Sequence, residues 1–282
     1  MSIKIMIDSA SDINQAEANE AGLILMPMEI KFDEEEFLDG VNLLPTEFYE
    51  KLIESDTLPK TSQINPYRFE EAFEKIVHNG DECVVITISS KLSGTYASAV
   101  QAAKKFPDKV YVVDSLNACI GERLLCQYAQ RLLAVGKTAK EIAEELDVAK
   151  GKIHVIAMLN TLEYLKKGGR ISPTVAFAGK LLSIKPVVAL VDGELKLVGK
   201  AIGSKKGNNL LNTHVQESSG IDFDMPHGIV WSGLNDTLLQ KYVEDSAALW
   251  KGHTAELPKY MIGSTIGTHV GPGAIGVAYF GK

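Results

Sequence analysis

The sequence reads as α/β: an N-terminal domain with a parallel sheet flanked by helices, packed against a C-terminal α/β domain with a mixed sheet. Three observations predict this. Short β-branched runs alternate with helix-period segments through the first half, the pattern of strands joined by helical crossovers. In the second half, two alternating runs flank Asp192-Gly193, a hairpin signal that brings in antiparallel pairing. The chain has 282 residues, 45% hydrophobic and 23% charged, which exceeds a usual domain of roughly 100–200 residues and suits a substantial core. The expected division is 1–150 and 151–282, within one unit spanning 3–280.

Residues 3–7, 22–30, 83–88 and 110–113 are short, β-branched and bounded by polar or glycine residues, and they predict the first strands. Segments 46–55, 66–78, 95–105 and 116–135 repeat apolar residues at i, i+3 and i+4 and predict the helices between and after them. Asn65-Pro66 has the form of an N-cap with proline at the first helical position, and Gly80 stops that helix. Beyond residue 150 the pattern predicts a strand at 152–159, then Asn160 capping a helix at 161–167 that ends at Gly168-Gly169. The hairpin at 186–198 follows, then a polar-faced helix at 204–218 and a strand at 228–231. A helix at 236–250 and strands near 259–262 and 274–280 complete the chain. No repeat or long linker separates the halves.

Composition removes several function classes. A formal net charge of −7 opposes broad nucleic-acid binding and adhesion to anionic membranes. Cys83, Cys119 and Cys126 lie inside apolar patterns without metal-ligand spacing, which suits buried thiols in a reducing compartment. The start has no signal-peptide pattern and no apolar run reaches roughly 18 residues, so the expected location is cytoplasmic.

Chemistry gathers at the ends of the expected strands. In 84–100, VVITISSKLSGTYASAV, an apolar strand opens through small hydroxyl residues onto a helix start. The unpaired N–H groups and positive dipole end there attract an anion, a carboxylate or a phosphate, and Gly94 allows close backbone approach. Asp8-Ser9-Ala10-Ser11-Asp12 fits either helix capping or the wall of a site at strand carboxyl ends. Thr61-Ser62-Gln63 fits an ordinary polar turn or part of the same site. The glycine-rich segment 263–276 reads as a loop in which His269 could approach a ligand. Arg170, beside Gly168-Gly169, could meet an anion or an acidic partner. No GxSxG elbow, GxxxxGK[ST] loop, HExxH or paired-carboxylate motif is present, and no GxGxxG fingerprint follows the first strand. What remains is a hydroxyl-rich anion clamp without an evident nucleophile–base pair, more in keeping with a binding protein than a catalyst.

The motifs DSASD (8–12), TSQ (61–63), SSKLSGTY (89–96), VDS (113–115), GGRIS (168–172), LLSIKP (181–186) and THVGPGAIG (268–276) occur in the order of a known family. The chain resembles the DegV family of bacterial fatty-acid-binding proteins, which includes the lipid-binding subunits of fatty acid kinase. The resemblance implies that one long-chain fatty acid is the ligand, with no other cofactor. Its carboxylate would meet Thr61, Ser93, the Gly94 N–H and His269, with Asp8, Ser9, Ser62 and Thr95 as a supporting polar shell. Its tail would enter an apolar tunnel through the N-terminal domain, where Ala118, Cys119 and Gly121 could make room. The resemblance also implies a partner ATP-dependent kinase that forms an acyl phosphate, with Arg170, Lys205 and Lys206 as partner contacts and delivery to membrane acyltransfer for phospholipid synthesis. Two departures stand out: Ala10 replaces the usual threonine, and 200–206 lacks the family's arginine. The rival readings are a lipid or small-acid sensor, and an acyl hydrolase or phosphotransferase using Ser93 and His269.

Overall fold

The computed structural model describes residues 2–172, 184–250 and 252–282. The N-terminal half begins with β1 (Ile3–Asp8), a capping-box helix α1 (Gln15–Glu20) and β2 (Ile24–Met26). The strand expected at 22–30 divides at Pro27, which has no N–H to give a sheet. Beyond it, β3 (Glu29–Phe32) and β4 (Glu35–Leu38) form a hairpin, α2 (Pro45–Glu54) follows, and β5 (Lys60–Ser62) adds to the far side of β3. This small antiparallel sheet, β4-β3-β5, turns the expected Thr61 turn into an edge strand. Helix α3 (Pro66–His78) starts as its sequence indicates, with Asn65 accepting the Arg68 N–H and proline in the first turn. Then come β6 (Glu82–Thr87), α4 (Thr95–Ala103), β7 (Val110–Asp114), α5 (Ile120–Ala134) and α6 (Ala139–Ala149). The parallel sheet runs β2-β1-β6-β7.

Helix α5 starts four residues later than its periodicity implies. Leu116 and Cys119 take φ of 49° and 57°, and Ser115 Oγ accepts the Asn117 N–H, so 116–119 is a tight turn rather than a first helical turn. Helix α5 lies between the two large sheets, packing on β1 and β6 as well as on strands of the C-terminal half. Ile120, Leu124, Leu125, Cys126 and Ala129 are therefore all buried. Gly121 allows that approach, because a Cβ there would overlap Val155 and Asn117.

The C-terminal half contributes β8 (Ile153–Met158), α7 (Glu163–Lys167), β9 (Ile184–Val191) and β10 (Glu194–Ile202). It continues with α8 (Ser204–Glu217), β11 (His227–Trp231), α9 (Thr237–Asp245), β12 (Lys259–Met261), α10 (Ser264–Val270) and β13 (Ile275–Phe280). The sheet order is β10-β9-β8-β13-β11-β12, antiparallel except for β11–β12. The result is a two-domain α/β fold with one parallel and one mixed sheet. Asp192 and Gly193 both take positive φ, 51° and 82°, which is the type I′ turn their pairing implies. Asn160 does not cap α7: it accepts from Lys185 Nζ, and Thr161 Oγ1 takes the Glu163 N–H instead. The segment read as a loop at 263–276 contains α10. Residues 181–183 of the LLSIKP motif lie outside the described residues. Among the described residues no helix is long and apolar enough to cross a membrane.

Alternation along the mixed sheet divides its residues between two cores. Ile156, Met158, Val187, Ala189, Ile229, Ile275 and Val277 face α8 and α9. Val155, Ala157, Val188, Leu190, Val230 and Gly276 point the other way, and a cavity opens between them and the N-terminal half.

Candidate ligand-binding site

The cavity encloses about 930 Å³ of non-protein space, including solvent at its mouth. Its body is aliphatic, built from the inner face of the mixed sheet with Ile88, Leu92, Ala118, Cys119, Ile120 and Ile262. The cavity thus lies between the domains, not through the N-terminal one as expected. The parallel sheet is covered on both faces by helices, and the mixed sheet leaves one face to line a space. Ala157 and Gly276, paired across β8 and β13, keep that face low where larger residues would fill it.

One end is polar. Thr61 on β5 and His269 in the last turn of α10 meet there, with Oγ1 and Nε2 2.9 Å apart. Ser93 lies in the loop before α4, where its Oγ accepts the Thr95 N–H at 3.3 Å and pairs with Thr95 Oγ1 at 3.0 Å. Gly94 is the N-cap of α4, and a Cβ on it would overlap the carboxamide of Gln63, which donates to Ser98 Oγ. Arg170, just past α7, donates from Nε to Leu92 O at 3.1 Å and from Nη1 to Gly168 O at 2.6 Å. Its guanidinium therefore stands at the cavity mouth beside Thr61, Ser93 and His269. The Gly168 Cα lies against His269 Nδ1, and any side chain at 168 would overlap the ring.

The electrostatics follow from burial. Desolvation first, then the Arg170 charge, lower the His269 pKa to about 4, so the imidazole is neutral at pH 7. Its Nδ1 has no hydrogen-bond partner. Ser93 and His269 each bond to a threonine rather than to each other. No group of three or more His, Cys, Asp or Glu able to hold a metal ion occurs among the described residues.

The residues expected as a supporting polar shell bond mainly to backbone. Asp8 Oδ1 takes the Ala10 N–H and Oδ2 the Ile88 N–H, tying β1 to the loop after β6. Burial raises its pKa to about 7. Ser9 Oγ accepts the Met28 N–H, and Thr95 Oγ1 accepts the Ile64 N–H. None of these three lines the cavity itself; each satisfies backbone donors that would otherwise be buried unpaired, and Thr95 also holds the Ser93 hydroxyl from behind. Ser62 does line it. Lys205 and Lys206 are exposed in the first turn of α8, on the side of the mixed sheet away from the cavity. Arg170, which its sequence leaves open to an anion or to an acidic partner, lines the cavity. The sequence reading missed Gln63, Leu92 and the α10 residues Thr265 and Ile266. Ile262, Ile266 and Val270 stand four apart, a helical stripe that the surrounding glycines obscured.

A DegV family model, described as an uncharacterised protein family, matches residues 2–282. The chain belongs to the DegV family. A DegV domain-containing protein of Caldanaerobacter subterraneus is 33% identical over 98% of both chains. A Thermus thermophilus DegV family protein described for its fatty acid binding is 30% identical. It superposes with a TM-score of 0.86, covering 99% of this chain and 100% of that one. A Eubacterium eligens DegV family protein loaded with heptadecanoic acid is 26% identical with a TM-score of 0.82, over 99% and 100% of the two chains. A Bacillus subtilis DegV, described as a fatty acid binding protein, is 26% identical with a TM-score of 0.81 over the full length of both.

Proposed function

We propose that the chain binds one long-chain fatty acid non-covalently and presents its carboxylate to a partner ATP-dependent kinase that converts it to an acyl phosphate. The observation that carries the reading is the division of the cavity into an aliphatic body and a single polar end. Related proteins of the same fold are described as binding fatty acids. In this reading the chain divides near residue 150, between α6 and β8, and works without catalytic groups of its own.

The carboxylate accepts hydrogen bonds from Thr61 Oγ1, Ser93 Oγ and the Gly94 N–H, with Arg170 supplying positive charge. Each charge-assisted bond contributes roughly 1.5–3 kcal/mol, and each buried CH₂ of the tail about 0.8 kcal/mol. Over a long chain the tail therefore dominates affinity, and the polar end fixes orientation. A hydroxyl has one proton to give. When Thr61 donates to the carboxylate, it accepts from His269 Nε2–H, which selects that tautomer and leaves Nδ1 bare against Gly168. The carboxylate then stays ionised and nucleophilic beside a neutral imidazole. A groove beside the mouth, lined by Lys60, Lys167, Arg170 and the hydroxyl residues Thr57 and Thr268, offers an approach for the phosphates of the donor. A carboxylate oxygen attacks the terminal phosphorus of ATP, that phosphorus–oxygen bridge breaks, and ADP leaves on the partner. Exposed Lys205 and Lys206 offer charges for partner docking.

The test uses purified protein, fatty acid, ATP and the kinase subunit. A fatty acid that extracts without covalent attachment, together with acyl phosphate formed only by the complete mixture, is the expected result. Turnover of an acyl ester without a partner, or a stable acyl-serine adduct, overturns it. Absence of acyl phosphate from the complete mixture favours a sensor. His269→Ala is expected to slow phosphoryl transfer more than it weakens binding.

A further inference from the structure

Helix α10 has only seven residues, too few to hold a helix in place by its own propensity, yet it carries His269 to within hydrogen-bonding distance of Thr61. Its N-terminus is held from the other half of the chain. Asp12 Oδ1 takes the Gly263 N–H at 2.8 Å, Asp39 Oδ1 the Ser264 N–H at 3.0 Å, and Asp39 Oδ2 the Thr265 N–H at 3.1 Å. Asp39 is 2% exposed, and both of its carboxyl oxygens end on α10. One turn further along, Gly267 packs directly on Phe48 and Tyr49 of α2.

The origin of Asp39 gives these bonds a consequence. It follows β4, and its own N–H is bonded to Met28 O just before β3. The sheet β4-β3-β5 also carries Thr61, opposite Ile30. Both members of the Thr61–His269 pair are thus located from one three-stranded sheet, Thr61 directly and His269 through Asp39 and α10. We propose that Asp39 is a positioning residue of the polar end: its carboxylate clamps the start of α10 and so sets where His269 stands relative to Thr61. It touches no ligand. Burying a carboxyl beside Asp8 and Asp12 is unfavourable, and that like-charged setting would be avoided if shape alone were needed. What a carboxylate supplies is two acceptor oxygens for two consecutive N–H groups, where an asparagine offers one. The inference rests on the reading of His269 as a head-group residue.

The experiment compares Asp39→Asn, Ser264→Pro and His269→Ala with the parent. Asparagine keeps the shape and one acceptor. Proline at the first helical position fits the helix start and removes the N–H that Asp39 Oδ1 accepts, together with the Ser264 hydroxyl that reaches Leu43 O, so it weakens the clamp with Asp39 intact. The direct readout is the His269 imidazole titration by NMR in the folded protein. Release of α10 should expose the ring and move its pKa from about 4 up toward 6.5 in both clamp variants. Phosphoryl transfer with the partner kinase should fall about tenfold in Asp39→Asn, and Asp39→Asn combined with His269→Ala should be no slower than His269→Ala alone. An imidazole that still titrates near 4 in both clamp variants overturns the proposal, as do fully additive losses. If His269→Ala leaves binding and transfer unchanged, the head-group reading fails, while the titration still decides whether Asp39 holds the helix.

Discussion

At the mouth of the cavity Thr61, Ser93, Arg170 and His269 come from four separate segments, with Thr61 bonded to His269, Ser93 to Thr95 and Arg170 to Leu92 O. Along its body Val155, Ala157, Val188, Leu190, Val230 and Gly276 come from neighbouring strands of one sheet. These are fixed by nothing more specific than strand alternation. The polar end is therefore demanding in chemistry: a threonine, a serine and a histidine at set distances have few substitutes. The apolar body is demanding in volume, and most small aliphatic residues would serve. Losses at the first should follow the number of hydrogen bonds, and losses at the second the number of methylenes displaced.

The most severe test of that contrast is Ala157→Phe. A ring at the middle of the low face should weaken a long-chain acid at least 100-fold while short-chain acids keep their affinity, as measured by calorimetric titration with an unchanged circular dichroism spectrum. Equal loss for every chain length would mean that the body is not where the tail lies. Next in size, Thr61→Ala and Ser93→Ala should each weaken acid binding by roughly tenfold or more, from one charge-assisted bond of about 1.5–3 kcal/mol. The matching methyl ester should bind parent and variants alike. Thermal stabilisation by fatty acid identical in parent and variants would remove these residues from the site.

A smaller effect is expected within a homologous series of saturated acids. Each added CH₂ should tighten binding by about 0.8 kcal/mol, close to fourfold, until the cavity is full. A flat series would deny the body its role. The smallest effect concerns pH. Burial raises the Asp8 pKa from 3.8 to about 7, so the folded state binds its proton more tightly than the unfolded chain does. The stability this gives is complete below about pH 3.8 and is lost as pH rises through about 7. The melting temperature of the parent minus that of Asp8→Asn should be greatest near pH 4 and shrink by a few degrees toward pH 8. A difference that grows with pH would reverse the assignment.

Local patterns made much of the fold legible. Asn65-Pro66 starts a helix because the cap and the proline act within one turn, and Asp192-Gly193 turns because both residues accept positive φ. The split of residues 22–30 at Pro27 was equally local and could have been read from the missing N–H. Helix α10 was hidden for another reason: its glycines weaken intrinsic propensity, and it is stabilised by Asp12, Asp39 and the rings of Phe48 and Tyr49, more than 200 residues away in sequence. Arg170 was ambiguous on its own. Its place in the site depends on Leu92 O, which no spacing rule connects to it.

By itself the sequence determined the two-domain α/β architecture and offered the start of α4 and the residues Thr61, Ser93 and His269 as candidates, because strand and helix periods and helix-end chemistry are properties of short stretches. Only the tertiary structure decided that the cavity runs between the domains, which backbone donors Asp8, Ser9 and Thr95 satisfy behind it, and that a short helix brings His269 to Thr61. Those outcomes depend on which sheet face is left uncovered and which distant donors need acceptors, and packing resolves both only once the whole chain is folded.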